Sequence, residues 1–270
     1  MLRGAWLSVV DAYLLWLVAA GCTAGTVRLR RYYLVRLAQR HPHPWRVSEA
    51  DLIEFLATEG WAAETRKSAR SSVRSFYGWA STVGRIRDDP SRDLPPVRPP
   101  AGMPRPAPRQ VIAAALAKAG RRERLMVLLA VLAGLRRGEI AGLHTDDITD
   151  DGGGPALRVR GKGGRVRLVP LHRMLAAEMA RVPAGFVFPG AIDGHLSPLW
   201  VGKLLSRLLG PGWSAHTLRH RFATDAAAGG DLLAVQRLLG HSKPETTIRY
   251  TQIGDTALRS ATDHVGDWVA

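Results

Sequence analysis

Apolar residues recur every three or four positions through most of this chain, in segments broken by glycine and proline. That spacing lines up an apolar stripe along one side of a helix. In the first part of the chain it predicts helices over residues 5–20, 25–40, 48–58 and 62–83. Leu7, Val10, Leu14 and Leu17 form the core-facing stripe of the first. Thr26, Ser48 and Glu64 mark helix starts, and Gly21, Gly60 and Gly84 mark stops. The helix over 62–83 carries Arg66, Lys67, Arg70 and Arg74 opposite Val73, Phe76 and Tyr77. A basic stripe is ordinarily a solvated face, but this one has no acidic neighbour a turn away except Glu64, which favours a phosphate-facing surface.

From Leu94 to Pro108 the pattern stops, because Pro95, Pro96, Pro99, Pro100, Pro104, Pro106 and Pro108 crowd together with Gly102. Such a stretch can be neither helix interior nor sheet ladder and reads as an extended connector. Arg98 and Arg105 lie on it, placed to track a phosphate backbone. Beyond it, helices are predicted over 109–119, 121–133, 172–181, 197–209, 216–228, 231–239, 244–251 and 255–265, with Ser242 to Glu245 as a capping box for the helix holding Tyr250. Two segments, 156–160 and 165–169, alternate with the two-residue period of strands and are joined by Gly161-Lys162-Gly163-Gly164, a β-hairpin with a lysine at its tip. The expected fold is mainly α with a small antiparallel β-hairpin, in two domains, 1–93 and 109–270, joined by a linker over 94–108. No internal repeat is present.

Composition changes this picture in one respect. A hydrophobic fraction of 46% is ordinary for a globular chain, but the formal charge is +15 and the pI near 11.1. Arginine supplies most of the excess, and a guanidinium forks onto phosphate oxygens better than an ammonium does, which points to nucleic acid. An anionic membrane would call for a polybasic block, and the basic residues are scattered. A single cysteine, Cys22, excludes an intrachain disulfide and a cysteine-based zinc cluster and fits a reducing cytosol. Ala19-Ala20-Gly21-Cys22 has the look of a lipoprotein cleavage site. The apolar run before it is too short to span a bilayer and carries helical periodicity, so a buried first helix is the better reading.

The candidate chemistry lies in the last quarter of the chain: His216-Thr217-Leu218-Arg219-His220, then Leu239-Gly240-His241, then Arg249-Tyr250. Arginines to neutralise phosphoryl oxygens, histidines to move or share protons and a tyrosine as nucleophile make up the set a phosphodiester needs for attack by a side chain without a metal. Asp146-Asp147 and Asp150-Asp151 could suggest a metal nuclease, but beside Gly152-Gly153-Gly154 they read as a turn. Gly161 to Gly164 lacks the following helix and the spacing of a phosphate loop.

In chain order, Arg136, Lys162, His216, Arg219, His241 and Tyr250 resemble the active-site set of the tyrosine recombinases, or phage integrase family. Ala133-Gly134-Leu135-Arg136 with Glu139 is similar to that family's first arginine motif. The hairpin tip is similar to its catalytic lysine hairpin, His216 to His220 to its histidine–arginine box, and Leu239-Gly240-His241 with Tyr250 to its nucleophile box. The resemblance implies that Arg136 and Arg219 clamp the scissile phosphate and that Tyr250 attacks it to give a 3′-phosphotyrosine and a free 5′-hydroxyl. It further implies that His216 takes or shares the tyrosine proton, His241 hydrogen-bonds a phosphoryl oxygen and Lys162 protonates the leaving oxygen. No metal, ATP or other cofactor is implied. Glu139 is expected to pair with a nearby arginine or cap its helix; His220 is either a satisfied core histidine or a partner that orients the site.

The family likeness further implies a C-shaped clamp of two domains around double-stranded DNA core sites and a homotetramer on DNA. It also implies an accessory directionality factor, and action in the bacterial cytosol on the nucleoid with no membrane. The tail from Thr251, with Trp268 and Val269, would pack on a neighbouring protomer or else fray or fold back locally. The chain is expected to start almost directly in the helical core-binding part, without an arm-site domain, which would set it nearer the simpler recombinases or nearer short integrases that recognise only core sites. Integration of a phage or mobile element is the expected role. Resolution of chromosome or plasmid dimers is the alternative within the family, and a non-catalytic DNA-binding protein on the same scaffold the alternative outside it. A type IB topoisomerase fits the two-domain layout less well.

Overall fold

The computed structural model describes residues 4–100, 103–161, 164–228 and 232–240. Lys162, His241, the capping box at Ser242, Tyr250 and the tail therefore lie outside the described residues. The chain forms two compact units, 1–102 and 103–270, that meet within the proline-rich stretch.

Four helices build the first unit: α1 (Ala5–Ala19), α2 (Ala24–Ala38), α3 (Glu49–Leu56) and α4 (Ala63–Thr82). Gly21 and Gly84 follow α1 and α4 with φ of 74° and 70°, the left-handed geometry that ends a helix at little cost for glycine. Two local expectations shift. The face of α1 that enters the core is Trp6, Val10, Tyr13 and Leu17, so Leu7 is 46% exposed. The aromatics decide the rotation: Trp6 and Tyr13 meet Phe76 of α4 at ring-centroid distances of 5.6 and 5.4 Å, contacts that Leu7 could not supply. The cap of α2 is Thr23, whose hydroxyl accepts from the N–H of Thr26 at 3.3 Å. Thr26 is thus inside the first turn.

Ser48 caps α3 as its sequence suggests, with Ser48 Oγ accepting from Asp51 N–H at 3.2 Å and Asp51 Oδ2 accepting from Ser48 N–H at 2.8 Å. Ser48→Ala is expected to lower the stability of the first unit by about 1 kcal/mol, read from urea denaturation.

On α4, Val73, Phe76 and Tyr77 are buried. The basic residues do not share one environment. Lys67 and Arg74 are exposed and Arg66 is half-buried. Arg70 is also half-buried and donates through Nε and Nη2 to the carbonyl of Leu94 at 3.2 and 2.6 Å. Leu94 itself lies in the first core. Arg70 therefore ties the exit of the first unit to α4.

In the second unit, α5 (Arg109–Lys118) and α6 (Arg121–Leu132) lead to a short α7 (Arg137–Ala141). Three antiparallel strands follow in the order β1 (Ile148–Asp150), β2 (Pro155–Arg160) and β3 (Val166–Pro170), with Ile148 opposite Leu157 and Leu157 opposite Val169. The hairpin is thus two strands of a three-stranded sheet. The aspartates beside it do form turns: Asp150 and Asp151 accept from the backbone N–H groups of Gly152 and Gly153 at 2.7 and 2.9 Å. After α8 (Arg173–Met179) and β4 (Pro189–Ile192) come α9 (Pro198–Leu209), α10 (Ala215–Ala227) and α11 (Leu232–Leu239). Residues of α6, α7, α9, α10 and the sheet make one core, in which Met126, Leu129, Leu157 and Leu218 are fully buried. Ala107 enters this core, so the connector is packed at both ends. Among the described residues no helix is long and apolar enough to cross a membrane.

Candidate active site

Gly134 turns the chain at the end of α6 with a φ of 61°, and a Cβ there would overlap the ring of Phe222 on α10. Only glycine meets both demands. The turn delivers Arg136 to the N-terminus of α7, where Glu139 accepts from the backbone N–H of Arg136 at 2.8 Å. A carboxylate one turn into a helix satisfies an otherwise unpaired N–H and faces the positive end of the helix dipole.

Glu139 also gathers arginines. Its side chain is 6% exposed; Oε1 accepts from Arg136 Nη1 at 2.9 Å, and its two oxygens take a forked pair from Arg167, both at 2.9 Å. Arg219 Nη1 stands 3.8 Å from Oε2. Burial alone would push this carboxyl up. The Arg167 hydrogen bonds and charge, the Arg136 N–H and the charge of Arg219 together outweigh it, and the group titrates below the usual carboxylate range.

Arg219 projects from α10 and is 3% exposed. Its Nη1 donates to Gly134 O and its Nη2 to Leu239 O, so one guanidinium joins the turn before Arg136 to the end of α11. His216, Arg219 and His220 follow the i, i+3, i+4 spacing that puts them on one face of α10, and His216 Nε2 lies 2.8 Å from His220 Nε2.

Arg167 was not singled out by motif. On β3 it is in phase with buried Val169, while Val166 and Leu168 face outward. The sequence held no signal for this, since Val166 and Leu168 read as the apolar phase of the strand and Arg167 as its polar phase; only the packed sheet turns Arg167 inward. Its side chain is 11% exposed, and Nε donates to Leu238 O at 2.7 Å. Arg167 thus fastens the end of α11, the residues just ahead of His241, to the Glu139 cluster.

Arg136, His216 and Arg219 line a cavity of about 970 Å³ together with Arg137, Glu139, Arg160, Lys203 and Ser206. Five of these residues are cations, Arg136, Arg137, Arg160, Lys203 and Arg219, against the single carboxylate of Glu139. Such a cavity suits an anion whose charge grows during reaction. Arg137, Arg160 and Lys203 are additions that no motif marked. Of the six candidate catalytic residues, the described structure brings Arg136, His216 and Arg219 together. The linker arginines part company: Arg98 is exposed, whereas Arg105 lies over the ring of Trp213, 4.7 Å from its centroid.

Residues 108–256 match the phage integrase family. The chain is 35% identical over 221 residues to tyrosine recombinase XerC of Rhodospirillum centenum, covering 73% of this chain and 64% of that protein, just under two thirds of its length. It is 35% identical over 249 residues to tyrosine recombinase XerD of Caulobacter vibrioides, covering 79% of this chain and 80% of that protein. Among solved structures, a lambda integrase dimer bound to a COC' core site superposes with a TM-score of 0.72 over 90% of this chain and 76% of that chain; at 20% identity the likeness speaks to the fold. The chain belongs to the phage integrase family, the tyrosine recombinases.

Proposed function

We propose that the protein cleaves and rejoins double-stranded DNA at a specific core site through a 3′-phosphotyrosine intermediate. The observation that carries this reading is the cationic cavity, where Arg136, His216 and Arg219 converge from two helices under the restraint of one carboxylate. Arg136 and Arg219 hold the scissile phosphate and favour the added charge of its five-coordinate transition state. Tyr250 attacks phosphorus while the bond to the 5′-oxygen breaks. The phenolic proton leaves to water, and the Lys162 ammonium gives a proton to the departing oxygen. His216 and His241 hydrogen-bond the phosphoryl oxygens. The phosphodiester energy is kept in the tyrosyl link, so rejoining needs no external energy source.

Lys67 and Arg74, exposed on α4, and Arg98 on the connector contact backbone phosphates; Arg66, Arg70 and Arg105, which are more enclosed or engaged, support that surface. Both units bind the duplex, and four protomers exchange strands on paired sites. A second reading of the biological role has specific support. The relatives reported above are named Xer recombinases, which favours resolution of chromosome or plasmid dimers over integration of a mobile element.

Trapping on a nicked suicide substrate carrying candidate core sites tests the reaction. The wild-type chain is expected to form a covalent protein–DNA adduct, and Tyr250→Phe to form none while still binding the same DNA. Wild-type protein that binds a site and never forms the adduct would support the non-catalytic DNA-binding alternative.

A further inference from the structure

The hydrogen bonds of His220 are directional. The backbone N–H of Arg105 donates to His220 Nδ1 at 3.0 Å. Nδ1 must therefore carry a lone pair, and the neutral ring holds its proton on Nε2. That Nε2–H lies 2.8 Å from His216 Nε2, which in turn must be the acceptor. The remaining proton of a neutral His216 is then on Nδ1. The segment that supplies the amide is itself pinned, by Arg105 over Trp213 and by the Ala107 N–H donating to Thr217 O at 3.0 Å.

We propose that His220 is a positioning residue that fixes His216 in the Nδ1–H tautomer, so that His216 serves the phosphate as a hydrogen-bond donor and does not accept the nucleophile's proton. The inference rests on the reading of the cavity as a phosphate site. Its logic is that of two rings sharing one proton: a second proton on His216 would set two N–H groups face to face at 2.8 Å, and one on His220 would set its Nδ1–H against the Arg105 N–H at 3.0 Å. The charged groups around the pair act in the same direction. Arg136 and Arg219 are cations, and Glu139 is engaged by its arginines. Both imidazoles titrate low. Partial burial, then His216 and Arg219, brings His220 to about 4. Desolvation at the cavity wall, then Arg219 and Arg136, lowers His216. The pair is accordingly neutral wherever the enzyme would work. This differs from the family-based expectation that His216 takes the tyrosine proton; water receives it instead.

Long-range ¹H–¹⁵N correlation spectra of the full chain, labelled at histidine, read the tautomers directly. At neutral pH His216 is expected to be protonated at Nδ1 and His220 at Nε2; His216 protonated at Nε2 would overturn the proposal. Arg105→Ala keeps the amide and is expected to keep both tautomers, whereas Arg105→Pro deletes the amide proton and is expected to let His216 redistribute. His220→Phe is expected to slow adduct formation on the nicked substrate on the order of tenfold near neutral pH, with rate regained toward acid pH, where His216 becomes cationic and donates from both nitrogens. A His220→Phe protein with the wild-type rate and pH profile sinks the positioning role. Failure of the wild-type chain to form any adduct sinks the donor role together with the phosphate reading, and is distinguishable because the tautomer spectra stand apart from it.

Discussion

Replacing Glu139 with alanine is expected to destabilise the second unit by about 3–5 kcal/mol and to lower adduct formation by at least about a hundredfold. The carboxylate is nearly buried and is shared by Arg136, Arg167 and Arg219. Without it, two nearly buried guanidiniums, those of Arg167 and Arg219, face each other with no intervening negative charge, and the forked restraint on Arg167 is lost. Arg167 would then no longer hold the end of α11 through Leu238 O. Because Arg136 is 43% exposed, the stability loss comes mainly from the two buried partners. The pH dependence supplies an independent check. The Glu139 carboxyl is depressed in the folded chain, so its contribution to stability is fully present above the ordinary carboxylate pKa of about 4.3 and fades as pH falls through the lower folded value. Urea denaturation at neutral and acid pH should therefore show the wild-type advantage over Glu139→Ala shrinking at the acid end. An advantage that stays constant across that range would refute the assignment.

The second large effect separates two arginines that the motif treats alike. Arg219→Ala is expected to lower stability by roughly 2–4 kcal/mol, because it strips the buried donor from the carbonyls of Gly134 and Leu239. It should also reduce adduct formation by about a hundred- to a thousandfold through loss of a phosphate donor. Arg136→Ala should cut the rate by a similar factor yet change stability by less than about 1 kcal/mol, since its ion pair is partly solvated. Denaturation curves read beside single-turnover trapping at saturating DNA give the split. Equal stability losses for the two variants would show that Arg219 has no special structural part.

The sequence was a good guide wherever the determining contacts are local. Among the described residues periodicity placed the helices of both units to within a few residues, except the short α7, since a helix is written by neighbours three and four apart. The helices expected over 244–251 and 255–265 lie outside the described residues. Glycine and aspartate placed the turns around the sheet for the same reason. Misreadings arise where a choice is made from outside the segment. Leu7 and Trp6 are both apolar, and only the position of Phe76 on another helix selects Trp6 for the core. Thr23 and Thr26 are both plausible caps, and the route of the chain out of α1 selects Thr23. Ile148–Asp150 is too short to show a strand period and becomes a strand because β2 lies beside it. Arg70 belongs to a convincing basic stripe, yet its guanidinium is drawn to a carbonyl 24 residues away.

What the sequence determined by itself was the inventory: the family, the helical and strand segments, and the residue types of the candidate site. The tertiary structure decided how they are wired. Glu139 meets Arg167 across 28 positions, Gly134 meets Arg219 across 85, and Arg105 meets His220 across 115. A side chain's chemistry is set by its own atoms and can be read in place. Its charge state, its tautomer and its share of a common partner depend on distances that exist only once the chain has packed.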